Sequence, residues 1–169
     1  MIDSSIDRAI RTIENTLEDP SRGLPEELFL WISEITPLVN VDLLIVDQKQ
    51  GTLLTWRPKG NYDAGWHLPG GILRVRETFS ERLEKVALEE LGVGAEFSPK
   101  PIAINQLIHP TARTRVYFIS LLYEAILDSE PDEYSRYTQG KPMPGQWMWH
   151  RTIPKPIYQS QEIYREFLE

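Results

Sequence analysis

The sequence predicts a single domain over residues 1–169, a mixed α/β core at 38–169 behind a helical extension at 1–37. Three observations lead there. Apolar residues recur at helical spacing near both ends and in the middle of the chain. Short apolar runs with strand character lie between them. Clusters of Gly, Pro, Asp or Ser punctuate the junctions, and no repeat, low-complexity tract or composition shift divides the chain.

Taken in order, Ser4 or Ser5 caps a first helix running to Leu17, on which Ile6, Ile10, Ile13 and Leu17 form an apolar stripe. Asp19 to Gly23 breaks it, and Pro25 starts a short helix containing Leu28, Phe29, Trp31 and Ile32. Pro37 marks the exit into a buried strand, Val39 to Val46. Asp47 to Gly51 turns the chain into a second strand, Thr52 to Trp56. Pro58 to Ala64 reads as a loop, and Trp66 to Leu68 as extended chain before a tight glycine turn at Gly70 and Gly71. Thr78 to Leu91 reads as a helix stopped by Gly92. Ile102 to Leu107 and Arg115 to Tyr123 follow as strands around a polar turn. Asp128 to Pro144 is a long acidic loop, a length that often marks function. Gln146 to His150 is a last short strand, and Gln159 to Phe167 a terminal helix.

At 41% hydrophobic and 25% charged residues the composition is that of a globular protein, and 169 residues suffice for a substantial core. A net charge of -7 argues against a non-specific grip on nucleic acid or anionic membrane, so any phosphate site must gather its cations locally. With no cysteine there is neither a disulfide framework nor a thiolate metal site. No apolar run reaches the ~20 residues that span a bilayer, and the polar start Met1 to Arg8 lacks a signal-peptide pattern. A cytoplasmic chain with no nucleic-acid or membrane partner is the expectation.

The most informative stretch is Pro69-Gly70-Gly71 through Glu77 to Leu88-Glu89-Glu90-Leu91-Gly92-Val93. Glycines let the backbone approach a ligand closely, and carboxylates one helix-length away can hold a hard divalent cation against it. On the helix, Glu81, Lys85 and Glu89 form one ladder, while Val86 and Glu90 share another face beside Phe79 and Leu83. Glu90 therefore projects at an apolar edge, where a carboxylate needs a partner or a cation. An ordinary amphipathic helix explains the charges, but not the glycines before and after them.

This stretch resembles the Nudix box, G-x5-E-x7-R-E-U-x-E-E-x-G-U, in which U is a bulky aliphatic residue. From Gly71 it matches at Glu77, Glu89, Glu90, Gly92 and Val93, with Ala87 at the first U. The resemblance implies an α/β/α sandwich with a mixed central sheet and a hydrolase that uses Mg²⁺ or Mn²⁺. It implies Gly70 and Glu90 as metal ligands and Glu89 as an auxiliary one. Lys85 and Val86 stand where the motif has its Arg-Glu pair. Without a carboxylate at Val86, one cation is expected rather than a cluster. Lys85 keeps a charge for Glu77 or Glu81 but loses the bidentate fork.

Within that family the chain is most similar to GDP-mannose mannosyl hydrolases, from about Leu28 to His150. The similarity is carried by Thr36 to Val46, Arg57, Trp66-His67-Leu68-Pro69-Gly70-Gly71, Glu77-Thr78-Phe79, Glu84-Lys85-Val86 and Glu90-Leu91-Gly92. That likeness implies release of sugar from a nucleoside diphosphate by water attack at the anomeric carbon, and a homodimer. It implies Asp42 to orient the sugar, Arg57 to hold the diphosphate, and His109 and Tyr117 to assist the leaving group. Two departures stand out: Ile72 replaces a second arginine, and Met143 and Pro144 occupy the loop positions of a histidine base and a metal-contacting glutamine. Neither side chain accepts a proton. Asp128, Glu130, Asp132 and Glu133 offer carboxylates nearby, though a solvated acidic loop accounts for each, and the base is unassigned. His67 reads as structural. Tyr134, Tyr137, Trp147 and Trp149 read as packing or as a stacking surface. Two other activities fit the same residues: a pyrophosphatase cleaving at phosphorus in an ADP-ribose-like substrate, and a nucleotide-sugar-binding module without turnover.

Overall fold

The computed structural model describes residues 4–168; Met1 to Asp3 of the polar N-terminal run, and Glu169, lie outside them. Strand β1 (Leu38–Asp47) is buried continuously from Val41 to Ile45, as a strand covered on both faces must be. Its parallel neighbour is β7 (Tyr117–Leu127). On its other side it pairs antiparallel with β2 (Gly51–Arg57) at one end and with β4 (Gly70–Ile72) at the other. The sheet continues through β3 (Gly65–His67) on β2 and β5 (Ala95–Phe97) on β7. Strands β6 (Ala103–Ile108) and β8 (Trp147–His150) add to β7 and β2.

Side chains alternate across the pleat, so β1 feeds two cores. Val41, Leu43 and Ile45 pack under α3 (Phe79–Leu91) against its buried Leu83, Val86, Ala87 and Leu91. Leu44 packs on the opposite face with Leu54, Trp56 and Trp66, beneath Tyr164 and Leu168. Those two come from a 3-10 helix, Gln159–Tyr164, and the short α4 (Arg165–Leu168). Helix, mixed sheet and helix therefore stack as expected. A capping box of Thr78 and Glu81 starts α3, and Gly92, at φ 72, ends it in the left-handed conformation.

The extension is less uniform. Helix α1 (Ser4–Thr16) buries no residue, and Ile6 and Ile10 of its stripe are exposed. Helix α2 (Glu26–Ile35) docks on the core through buried Ser33, whose hydroxyl accepts the Arg115 N–H at 2.9 Å. Among the described residues no helix is long and apolar enough to cross a membrane.

Four elements differ from the sequence reading. Gly70 and Gly71 are strand β4 rather than a tight turn, in register with Asp42 and Val41. Paired glycines favour a turn locally, but a distant strand claims their backbone here. Strand β5 was too short for a periodicity to show. Strand β7 starts at Tyr117 because Arg115 adopts φ 51, which no strand accommodates. The terminal helix is mostly 3-10.

A Cβ added at Gly70 falls 2.3 Å from Asp42 Oδ1 and 2.9 Å from the Val41 carbonyl oxygen. Gly70→Ala is expected to lower the unfolding free energy by about 1–3 kcal/mol in urea titrations. An unchanged midpoint would show that β4 does not press on β1.

Candidate active site

Helix α3 aims one carboxylate at the sheet. Val86 turns into the core beside Gly71, and one turn later Glu90 reaches β4 and β2. Gly70 N–H donates to Glu90 Oε1 at 3.0 Å, and Thr55 Oγ1 lies 2.9 Å from Oε2. Burial pushes the Glu90 pKa up to about 7, against the pull of these two contacts.

Thr55 also lies 3.1 Å from Nε2 of buried His67, whose Nδ1 is 2.6 Å from the Leu68 carbonyl. A carbonyl only accepts, so Nδ1 carries hydrogen. Burial holds His67 neutral, its pKa down to about 3, which leaves Nε2 bare. One Thr55 hydroxyl proton cannot serve both Nε2 and an ionised Glu90. Both contacts are hydrogen bonds only when Glu90 or His67 holds an extra proton.

A second buried carboxylate lies across β4. Asp42 Oδ2 accepts from Ser120 at 2.5 Å and from Tyr164 at 2.7 Å, and Oδ1 lies over Gly70. Burial raises the Asp42 pKa, opposed by those two hydroxyls, and burial likewise raises that of Tyr164.

Asp42, His67 and Gly70 line one cleft of about 860 Å³ that runs from the sheet to α2. Although the chain is acidic, Arg57, Lys59, Arg74, Arg82 and Arg115 line this cleft against only Glu26 and Asp42. Arg57 lies 5.3 Å over the Tyr158 ring, and its charge acts on Asp42, His67 and Glu90. His109 and Tyr117 do not line the cleft. His109 Nδ1 accepts from the N–H groups of Thr111 and Ala112, and its ring packs 4.6 Å from Tyr62. Tyr117 Oη accepts from Gln106.

The acidic loop is occupied with its own fold. Asp132 caps a turn through Tyr134 N–H, Glu133 pairs with Arg136, and Met143 and Pro144 are exposed. Of the loop aromatics, Trp147 is buried and Tyr134 is 98% exposed.

Glu77 holds the start of the box. It binds Lys85 at 2.7 Å and accepts Arg74 N–H at 2.9 Å. Burial would raise its pKa, but these partners hold it below the usual carboxylate range. Arg82, 3% exposed, lies 3.5 Å from Glu77 and 3.6 Å from Glu89. A guanidinium does therefore meet Glu77, supplied one turn before the position where the motif carries it.

The NUDIX domain family model matches residues 36–154. The chain belongs to the Nudix family. A relative from Haloferax volcanii, Low-salt glycan biosynthesis protein Agl8, is 35% identical over 79 residues, 47% of this chain. That match spans 50% of the relative, so the chain covers about half its length. Among solved structures, a MutT NUDIX hydrolase from Burkholderia pseudomallei has a TM-score of 0.60 at 23% identity, covering 79% of this chain and 99% of its own. A UDP-X diphosphatase has a TM-score of 0.55 at 18% identity, covering 96% and 74%. An ADP-ribose pyrophosphatase from Streptococcus suis has a TM-score of 0.52 at 21% identity, covering 79% and 90%. At these identities the structures share the fold.

Nudix hydrolases generally use divalent metal ions. Here Glu90 is a half-buried carboxylate whose charge burial leaves uncompensated, with Glu89 adjoining it and the Gly70 backbone in contact. The Gly70 contact is an N–H, which cannot bind a metal, so Glu90 with its neighbour Glu89 fits one hard cation at most. It does not fit a cluster: Val86 is in the core, Glu89 is drawn to Arg82, and no group of three metal-binding side chains exists among the described residues. Sequence reading missed Thr55, Ser120, Tyr164 and Arg82. Tyr164 lies 122 positions from Asp42, and no local pattern links them. His67, read as structural, is in contact with the network that holds Glu90.

Because the folded Glu90 pKa of about 7 lies above its ordinary 4.5, its stabilising contribution is full below pH 4.5 and lost as pH rises through 7. Glu90→Gln supplies the missing hydrogen to Thr55 permanently. In metal-free urea titrations the variant is expected to match the wild type near pH 4 and exceed it at pH 8 by about 3 kcal/mol. Mg²⁺ or Mn²⁺ should raise the wild-type midpoint at pH 8 and leave the variant unmoved; equal shifts would place the cation elsewhere.

Proposed function

We propose that this Nudix hydrolase acts on a nucleoside-diphosphate sugar, with GDP-mannose as the model substrate, and that water attacks the anomeric carbon to release sugar and nucleoside diphosphate. The observation that carries this reading is a single carboxylate, Glu90, hydrogen-bonded to Gly70 where that glycine lines a cleft rich in arginines. One cation neutralises a diphosphate leaving group, which is what carbon attack requires. Attack at phosphorus, as in several metal-cluster sites, asks for ligands that Val86 removes.

Glu90, with Glu89 and the Gly70 carbonyl, would hold a divalent ion, and that ion would supply the neutralisation. Arg57 presents its fork to the phosphoryl oxygens from above Tyr158. Asp42 keeps Oδ2 on Ser120 and Tyr164 and offers Oδ1, over Gly70, to a sugar hydroxyl. Its raised proton affinity also suits it to take the proton of attacking water. His109, which accepts from Thr111 and Ala112, and Tyr117, which accepts from Gln106, take no part in this step. The relative named for glycan biosynthesis supports a sugar-bearing substrate.

In ¹⁸O-water with Mg²⁺ and GDP-mannose, label is expected in the free sugar; label in phosphate would instead establish a pyrophosphatase. Arg57→Ala should lower kcat/KM by about 10²–10³. A binding module is the second reading, favoured by Val86, Met143 and Pro144; tight calorimetric binding without sugar release would establish it. The exposed Ile6, Ile10, Trp31 and Ile35 support a homodimer. Sedimentation should show a dimer that Ile6→Asp with Ile10→Asp dissociates; a monomeric wild type would refute it.

A further inference from the structure

The family match begins at residue 36, so helix α2 precedes it, yet α2 builds one wall of the cleft. Phe29 of α2 and Arg115, just before β7, both line that wall, with the guanidinium carbon of Arg115 4.9 Å over the Phe29 ring. The segment carrying Arg115 is pinned from both sides. Its N–H donates to Ser33 Oγ at 2.9 Å, and Ser33 in turn donates to the Leu30 carbonyl at 2.6 Å. Arg113 pairs with Glu34 at 3.1 Å, and Asn61 donates to the Thr114 carbonyl at 3.0 Å. These ties hold Arg115 at φ 51, a conformation that costs free energy for a side chain of this size and gathers at ligand clamps.

Among the described residues the Arg115 guanidinium has no ring or polar contact beyond the Phe29 ring. Among the described residues no carboxylate or carbonyl accepts from its guanidinium. It also stands apart from the diphosphate end: Arg57 is stacked on Tyr158 and acts electrostatically on Asp42 and Glu90, whereas Arg115 is stacked on Phe29 of α2. A planar cation stacked on an aromatic ring beside Leu107 and Phe118 makes a flat apolar platform with donors at its rim. A phosphate does not need such a surface; a nucleobase does.

We propose that Phe29 and Arg115 form the nucleobase bracket of this cleft and select bases that present carbonyl acceptors over those that present an amino group. The inference rests on the nucleoside-diphosphate reading above. Arginine has only donors. Guanine meets them with O6 and N7, and uracil with O4, whereas adenine and cytosine place an amino donor at the corresponding position. The helical extension thus supplies the ring and the anchor that hold the base-selecting arginine, and the family core supplies that arginine and the chemistry.

Calorimetric titration of the full chain in Mg²⁺ with GDP, ADP, UDP and CDP tests this without turnover. GDP should bind at least about 5-fold more tightly than ADP, as one good bidentate contact provides, and UDP more tightly than CDP by a smaller margin through O4 alone. Arg115→Met keeps the stem on Phe29 and should bring each pair within about 2-fold. Arg115→Lys should also lose the discrimination because the fork is gone. Arg57→Ala should weaken all four alike. Comparable binding of all four by the wild type, or a preference surviving in Arg115→Met, overturns the bracket and leaves the diphosphate reading standing. No binding of any of the four overturns both.

Discussion

Glu90, on the last turn of α3, takes its first hydrogen bond from the backbone of Gly70. That contact ties the box helix to β4, while β4 is bound in turn to β1 at Asp42. Gly70 fits there because it has no side chain: the space above its Cα belongs to Asp42 Oδ1 and the Val41 carbonyl. Two carboxylates are thereby held on either side of one glycine, both with proton affinities raised by burial. Holding them without full compensation costs stability, and the cost makes sense only if a ligand or a cation relieves it.

The two carboxylates are treated differently. Asp42 is surrounded by hydroxyls from β7 and the C-terminal helix, so its geometry is set by three elements. Glu90 shares its threonine with a neutral histidine, and the count of hydrogens in that chain comes out short when Glu90 is ionised. A cation at Glu90 removes the need for that hydrogen. The neighbouring knot of Glu77 and Glu89 with Arg82 and Lys85 is balanced in charge, and its Glu77 end holds the loop before α3 to the helix. Charge at this site is thus divided between a neutral brace and a carboxylate whose hydrogen-bond chain is one hydrogen short.

Around this floor the protein reverses its own electrostatics. A chain of net charge -7 gathers arginines and a lysine from β2, the loops and α3 into one cleft. Buried Ser33 anchors α2 so that the extension closes that cleft from the far side. The region matched by the family provides the floor and Arg115, and the region before it provides the α2 wall on which Arg115 stacks.

Much of this was readable locally. The start and stop of α3, the buried run of β1 and the likeness to the Nudix box depend on neighbours within a few positions, where capping, periodicity and glycine act directly. Glu90 was legible for the same reason, since a carboxylate on an apolar helix edge needs a partner wherever the helix goes. Other features depend on contacts that close only when the chain folds. Gly70 and Gly71 form a strand because β1 offers an edge, and Tyr164 reaches Asp42 across 122 positions. Arg82 replaces a motif arginine because one helical turn brings it to the same glutamate. His109 and Tyr117 matched a motif in register yet lie off the cleft lining, because register along a chain does not say which way a side chain points. Local sequence determined α3, the buried run of β1 and the box; tertiary packing decided that the paired glycines form a strand, which carboxylates were buried, who donates to them, and which cations face the cleft.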